Sequence, residues 1–163
     1  MSRRVAFALV VLGMSVLPAD AQTAAPDITG RWRFETGKFD TFEYSDGCLM
    51  SGEMTIRSTP TANYYACSFT IETMCKQNGR EAEYYRVRQT CSAAKTLGKL
   101  AISSKIEKIE ETRLNGQPAS LTGYTADMFY LSPSPNGIEM TGQQFDVVRR
   151  TPARFWRDRE LVS

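Results

Sequence analysis

The chain has 163 residues, with 20 Lys and Arg, 18 Asp and Glu, a formal net charge of +2 and no histidine. A charge balance this even provides no electrostatic attraction for nucleic acid. The absence of histidine rules out Ser-His-Asp and Cys-His arrangements and removes the commonest general base. We therefore expect neither a nucleic-acid-binding protein nor an enzyme, and no catalytic residue, metal site or cofactor site stands out.

The first 21 residues have the pattern of a secretory signal peptide. Arg3 and Arg4 precede an apolar run from Val5 to Leu17, and small residues stand at Ala19 and Ala21. The run is much shorter than the ~20 residues that a membrane span needs. We expect cleavage after Ala21 and no stable membrane insertion of the mature chain, with an uncleaved anchor as the alternative.

The mature chain is interpreted as one exported domain. Residues 22–27 form a short polar linker, and residues 28–160 form the domain. The mature chain has about 140 residues, which is enough for a single core and too few for two ordinary domains. We expect it in the bacterial periplasm or secreted.

Alternating apolar and polar residues predict an all-β fold of about eight strands that pair in sequence. The first strand is Ile28–Thr36, with Trp32 and Phe34 on its inward face. Pro152 lacks an N–H for a ladder, so the last strand is placed after it. Three strands lie between Cys48 and Cys91, and the later ones are Gly98–Glu107, Ala126–Leu131, Ile138–Phe145 and Ala153–Arg159. Such a set can close into a single antiparallel up-and-down barrel.

Two long connections, residues 37–47 and 108–125, fall at the same end of such a barrel, which we call the mouth. The first, the mouth loop, carries Phe39, Phe42 and Tyr44. Loops of this length are often functional or packed by their own side chains. These aromatic residues therefore either cap the core or cover a pocket.

The pattern is less regular after Cys91. A turn over residues 93–96 sets Val87 opposite Ile102 in the next hairpin. The first part of the connection 108–125 fits a helical turn, and an Asn-Gly pair marks a turn further on.

The four cysteines indicate the strand register. Four cysteines in an exported chain favour two disulfides, and their spacing fits no zinc site. Paired residues in an antiparallel hairpin have numbers with a constant sum. A turn at Pro-Thr-Ala-Asn places Cys48 opposite Cys75, and the next turn, at Asn-Gly, places Cys67 opposite Cys91. We predict these two disulfides. Cys48 with Cys67 and Cys75 with Cys91 remains the rival, because disulfide geometry is demanding.

The first strand begins Ile-Thr-Gly-Arg-Trp, with Gly30 and Trp32 in a G-x-W pattern. This pattern resembles the opening motif of the calycin barrels, the lipocalins and their relatives. In lipocalins a second motif precedes a late strand and an arginine near the chain's end packs on the tryptophan. Residues 125–127, with Arg150 or Arg154, are loosely similar. The resemblance implies an eight-stranded barrel that binds a small apolar ligand or another protein, without catalysis.

Two other groups of small barrels share the pattern. The start is similar to that of avidin-type barrels, but the tryptophans and polar residues expected for biotin are not evident, since Trp32 and Trp156 are the only tryptophans in the sequence. It also resembles the short G-x-W barrels that inhibit bacterial metalloproteases, which are periplasmic and carry a disulfide.

The sequence therefore predicts a non-enzymatic exported binding protein that holds a small apolar ligand in the mouth of a barrel. The alternatives are a protein-interaction module such as a periplasmic protease inhibitor, and a protein of unknown function with a solid barrel core. The predicted ligand-binding residues are aromatic side chains of the mouth loop and of inward strand faces: Trp32, Phe39, Phe42, Tyr44, Phe69, Tyr85 and Phe129.

Overall fold

The computed structural model describes residues 26–41, 43–145 and 150–157, so the predicted signal peptide lies outside the described residues. Within these ranges the regular structure consists of β-strands, and no helix is long and apolar enough to cross a membrane. The strands are β1 Gly30–Thr36, β2 Cys48–Ser58, β3 Tyr64–Gln77, β4 Arg80–Thr96, β5 Lys99–Leu114, β6 Gln117–Pro118, β7 Met128–Pro133, β8 Glu139–Phe145 and β9 Arg150–Arg157.

Eight of these strands close into one antiparallel up-and-down barrel. Neighbours in sequence pair from β1 to β5, β5 pairs with β7, and β7, β8 and β9 continue round until β9 meets β1. The short β6 pairs with the end of β5 outside this circuit. The predicted fold class is therefore confirmed.

The register predicted for the two central hairpins is confirmed. Cys48 lies opposite Cys75 and Cys67 lies opposite Cys91, and both pairs form disulfides. The rival connectivity is wrong. The turn between β3 and β4 has the left-handed backbone at Asn-Gly that matches the twist of two antiparallel strands.

The hairpin between β4 and β5 differs from the prediction. The chain turns over Leu97 and Gly98, so Ile102 lies opposite Ala93 and not opposite Val87. Both turn residues have left-handed φ angles, 50° and 74°, as a tight hairpin turn requires. Leucine rarely adopts this conformation, so Gly98 is the only residue of this pair that signals a turn at the point where the chain reverses.

β5 is longer than predicted, because the segment interpreted as a helical turn is strand as far as Leu114. Glu107 and Glu110 have no partner in the β4–β5 register and form two β-bulges, which bend a strand and increase its twist. Arg88 Nε lies 3.2 Å from a Glu107 oxygen and Arg86 Nε lies 3.6 Å from a Glu110 oxygen. The bulges shift the alternation, which explains why the continuation of the strand beyond Glu107 differs from the prediction.

The last strand begins at Arg150 and includes Pro152, which the prediction placed before it. The carbonyl oxygen of Pro152 accepts a hydrogen bond of 2.7 Å from the backbone N–H of Gly37, directly after β1 ends. The missing N–H of the proline therefore falls at the end of the β1–β9 ladder, where proline is tolerated.

The middle of the barrel is filled by four phenylalanines, which we call the phenylalanine layer: Phe34, Phe69, Phe129 and Phe155. Their ring centroids lie 4.9 to 6.5 Å apart and each residue is at most 2% exposed. Aromatic pairs of this kind add about 0.5–1.5 kcal/mol beyond the burial of their area. Aliphatic side chains and Trp32 continue this packing towards the base, the end opposite the mouth.

Arg157 closes the base over Trp32. Its guanidinium lies 4.7 Å from the centroid of the tryptophan ring. It also donates hydrogen bonds of 2.6 to 2.8 Å to the backbone oxygens of Asp27, Thr29 and Gly137. The arginine that packs on the tryptophan is thus neither of the two suggested by the resemblance.

Candidate functional site

A cavity of about 410 Å³ opens at the mouth, on the side of the phenylalanine layer away from the base. A volume of this size is typical of small-molecule sites. Its wall comes from the mouth loop, from inward positions of several strands and from the segment that precedes β7. Both long connections therefore meet at this end of the barrel, as the prediction required.

The mouth loop is attached to its neighbours at several points. Phe39 and Cys48 exchange backbone hydrogen bonds of 2.8 and 2.9 Å. The disulfide from Cys48 to Cys75 joins the end of the loop to β3. The Asp46 carboxylate accepts a hydrogen bond of 2.6 Å from a backbone N–H in the turn between β3 and β4. These attachments position Phe39 and Tyr44 in the cavity wall.

The segment between β6 and β7 forms another wall. Its beginning is held by Thr112, whose carbonyl oxygen accepts a hydrogen bond of 3.0 Å from Ala119 N and whose hydroxyl donates to Ala119 O. Further on, the Tyr124 hydroxyl donates to Asp127 Oδ2 at 2.9 Å and lies 3.3 Å from the Thr73 hydroxyl. Burial, followed by the charge of Asp127, raises the pKa of Tyr124 well above its usual value.

A buried polar network lies beside the cavity and is centred on Asp127, which is 3% exposed. Its carboxylate accepts hydrogen bonds from Gln89 Nε2 at 2.6 Å and from Gln144 Nε2 at 3.1 Å. Gln89 Oε1 in turn accepts from the Ser104 hydroxyl and from the Asp127 backbone N–H. In the part of the chain that the structure describes, no buried side-chain nitrogen or oxygen lacks a partner. The network therefore links β4, β5, β8 and the segment before β7 without leaving a buried polar atom unpaired.

Glu83 lies beside two tyrosines at the cavity. The Tyr85 hydroxyl donates to Glu83 Oε1 at 2.9 Å, and the Tyr85 and Tyr124 rings lie 5.2 Å apart with planes inclined by 57°. Burial, followed by the charge of Glu83, raises the pKa of Tyr44 to about 12. Burial and the hydrogen bond to Glu83 also raise the pKa of Tyr85. The phenols therefore remain protonated hydrogen-bond donors at neutral pH.

The structure brings only part of the predicted ligand-binding set together. Three of the seven residues line the cavity: Phe39, Tyr44 and Tyr85. Three others lie in the packed core, at most 2% exposed: Trp32, Phe69 and Phe129. Phe42 lies outside the described residues. Ligand binding by this set stays a prediction.

The sequence reasoning missed the polar part of the site. The sequence does contain a signal for these polar residues, because Gln89 and Ser104 occupy positions that the alternation of their strands directs into the barrel. Gln89 follows the buried Val87 by two residues, and Ser104 follows the buried Ile102 by two. A polar residue at an inward position near the mouth is therefore the feature that marks the site.

Comparison with protein-family models, with curated proteins and with solved structures finds no match to this chain. The site is therefore interpreted from its own chemistry. Among the residues described, no group of three or more His, Cys, Asp or Glu side chains is arranged to hold a metal ion. The cavity offers aromatic rings, hydroxyls, amides and carboxylates, which can bind a small molecule by contact and hydrogen bonding.

Proposed function

We propose that this protein is a non-enzymatic, exported binding protein that holds a small molecule in the mouth of its barrel. The observation that carries the proposal is the division of the interior into a packed phenylalanine layer and an open cavity of about 410 Å³ above it. Barrels of eight strands have room for one small ligand where their interior is not filled. The sequence predicted a small apolar ligand, and the mixed lining favours a ligand with an apolar body and polar groups.

The lipocalin-like resemblance supports the same proposal. Its G-x-W tryptophan, Trp32, is covered by Arg157 from the last strand. The resemblance implied a cationic side chain at this place, and the whole barrel is compatible with a calycin-like fold. We propose the mouth as the position of the ligand, because the base is closed by Arg157.

Binding is favoured over catalysis by the nature of the polar groups at the site. The chain has no histidine. The raised pKa values of Tyr44, Tyr85 and Tyr124 make their phenols poor proton donors and acceptors in a reaction at neutral pH. Export is supported by the two disulfides, which are typical of oxidising compartments, and by the signal-peptide pattern.

Native mass spectrometry of the protein purified from periplasm tests the proposal. We expect a bound small molecule that is released on denaturation, and a rise in thermal stability when it is added back, since a ligand that binds only the folded state stabilises it. A protein that carries no molecule and is stabilised by none in a library of small amphipathic compounds would contradict it.

Two matched variants locate the binding. Thr125 is exposed and lines the cavity, so Thr125→Trp should obstruct it and weaken binding about tenfold or more. Thr61 is exposed in the turn at the opposite end of the barrel, so Thr61→Trp should leave binding unchanged. Equal affinities in the two variants would place the ligand outside the cavity and overturn the proposal.

A protein-interaction module such as a periplasmic protease inhibitor is the second candidate. The attachments of the mouth loop favour it, because a preorganised loop loses less conformational entropy when it binds a partner. Partner capture from periplasmic extract should then be lost when residues 39–44 are replaced by glycine and serine. Capture that survives this replacement would exclude a role for the mouth loop.

A further inference from the structure

We infer that the cavity recognises an organic cation, such as a quaternary ammonium or other alkylated amine. The inference rests on the proposed function, because it names the ligand class of the same cavity. The geometry that points to it is the meeting of three tyrosines with two glutamates in the lining of one cavity: Tyr44, Tyr85, Tyr124, Glu43 and Glu83.

The tyrosine rings provide faces to which a cation is attracted. The Tyr85 and Tyr124 planes are inclined by 57° at a centroid distance of 5.2 Å, so the pair forms a corner and not a parallel stack. Inclined rings can present their faces to one guest, as do the aromatic cages that hold alkylated ammonium groups. Tyr44 lines the same cavity, and the charge of Glu83 contributes to the raised pKa of its hydroxyl.

The charge of the lining has the sign that such a guest needs. The described residues that line the cavity include Glu43, Glu83 and Asp127 and no lysine or arginine. Asp127 is only 3% exposed, so the charge accessible to a ligand is mainly that of the two glutamates. Glu43 is exposed at the rim and Glu83 is half-buried, where opposite charges attract more strongly than in bulk water.

The hydrogen bonds of the tyrosines strengthen the same preference. Tyr85 donates its proton to Glu83 and Tyr124 donates to Asp127, both at 2.9 Å. A phenol that donates to a carboxylate becomes richer in electrons, which makes the face of its ring more attractive to a cation. Because burial raises the pKa of both phenols, these hydrogen bonds persist at neutral pH.

Two probes of the same shape separate charge from fit. Choline and its neutral isostere 3,3-dimethyl-1-butanol are titrated into the whole mature protein by calorimetry. We expect choline to bind about tenfold more tightly, and its affinity to fall as salt is added. Equal binding of the two probes would overturn the cation inference and leave the proposed function standing.

Variants of the cavity wall test the two parts of the cage. Glu83→Gln should weaken choline binding about tenfold and leave the neutral probe unchanged. Glu53→Gln on the outer face of β2, where the carboxylate lies 3.6 Å from Arg31, is the matched control and should change neither. Tyr44→Leu should weaken choline binding, whereas Tyr44→Phe, which keeps the ring, should retain most of it.

The remaining outcomes separate the two proposals. One outcome is that neither probe binds to the wild-type protein, whereas a neutral or anionic amphipathic dye does, and the dye's affinity falls in Thr125→Trp. In that case the cation inference fails and the small-molecule proposal stands. If no compound binds at the cavity, both fail.

Discussion

The base and the mouth of the barrel are built on the same strands, yet their inward residues differ. On β3 the inward Phe69 and Ile71 are completely buried, and the next inward residue towards the mouth is Thr73. On the approach to β7, Asp127 precedes the inward Phe129 by two residues. Apolar side chains fill the base, whereas polar side chains at the mouth bind one another around an opening. Packing therefore provides stability at one end, and hydrogen bonds and a disulfide provide a fixed cavity at the other.

The base and the mouth should also differ in how they respond to substitutions. A packed base loses stability when atoms are removed, because the cavity left behind cannot collapse fully. The mouth already contains a cavity, so substitutions on its wall should alter binding more than stability. Substitutions at the two ends can test this contrast.

The largest expected effect is at the phenylalanine layer. Phe34 stacks on Phe155 at 4.9 Å and meets Phe69 and Phe129 edge-on. Phe34→Ala should lower the free energy of unfolding by about 4 kcal/mol, measured by urea denaturation. Leu97→Ala, at a residue 97% exposed, is the control and should change it by less than about 0.5 kcal/mol. A loss below about 1 kcal/mol in Phe34→Ala would show that the phenylalanine layer is not tightly packed.

The next effect concerns the disulfide of the mouth. Replacing Cys48 and Cys75 with serine should lower the free energy of unfolding by about 3 kcal/mol, as expected when a loop of this size is no longer closed. Amide exchange in the mouth loop should become faster as well, because one of its attachments is lost. Replacing Cys67 and Cys91 should lower stability similarly but leave exchange in the mouth loop unchanged. Equal acceleration in both variants would contradict the assignment of one disulfide to the mouth.

A smaller effect is expected at the base. Arg157→Lys keeps the charge but loses the planar group that donates to three backbone oxygens over Trp32. We expect a loss of about 1–2 kcal/mol in the free energy of unfolding. Arg154→Lys is the control, since Arg154 is exposed and its partner Glu139 is only partly buried, and ion pairs open to solvent contribute little. A loss as large in the control would mean that the covering of Trp32 has no special role.

The smallest effect is an alkaline loss of stability from the mouth. The pKa of Tyr44 is raised to about 12, so the folded state holds this proton more tightly than the unfolded state, whose tyrosines titrate near 10. The stabilisation is therefore fully present below about pH 10 and is lost as the pH rises through about 12. The stability difference between the wild-type protein and Tyr44→Phe should shrink or change sign across this window, as followed by denaturation at each pH. A difference that stays constant from pH 9 to pH 12 would contradict the assignment.

The register of β2, β3 and β4 could be predicted because independent constraints agreed. The alternation, the Asn-Gly turn and the two cysteine pairs all required the same alignment. In the hairpin between β4 and β5 the turn signal and the alternation did not indicate one common register. Leu97 takes a conformation that leucine rarely adopts, and the bulges at Glu107 and Glu110 shift the alternation without any change in composition.

The polar half of the site could not be assembled from sequence for a different reason. Gln89 and Asp127 are 38 residues apart and meet only because the barrel closes. The length and tilt of all the strands decide which inward residue of each strand lies at the mouth. The predicted β5 ended at Glu107, seven residues before the strand itself ends. The aromatic residues of the mouth loop were identified because they lie within one short segment.

The hydrogen bonds of Arg157 bear on how the protein can be attached to a surface or to a fusion partner. They hold the backbone at Asp27 and Thr29 against the last strand, so the described chain enters and leaves the barrel at the same pole. A fusion partner, dye or linker joined before residue 26 or after residue 157 would therefore start from the side opposite the opening. Immobilised directly at either of these two positions, the molecule should turn its cavity towards the solution.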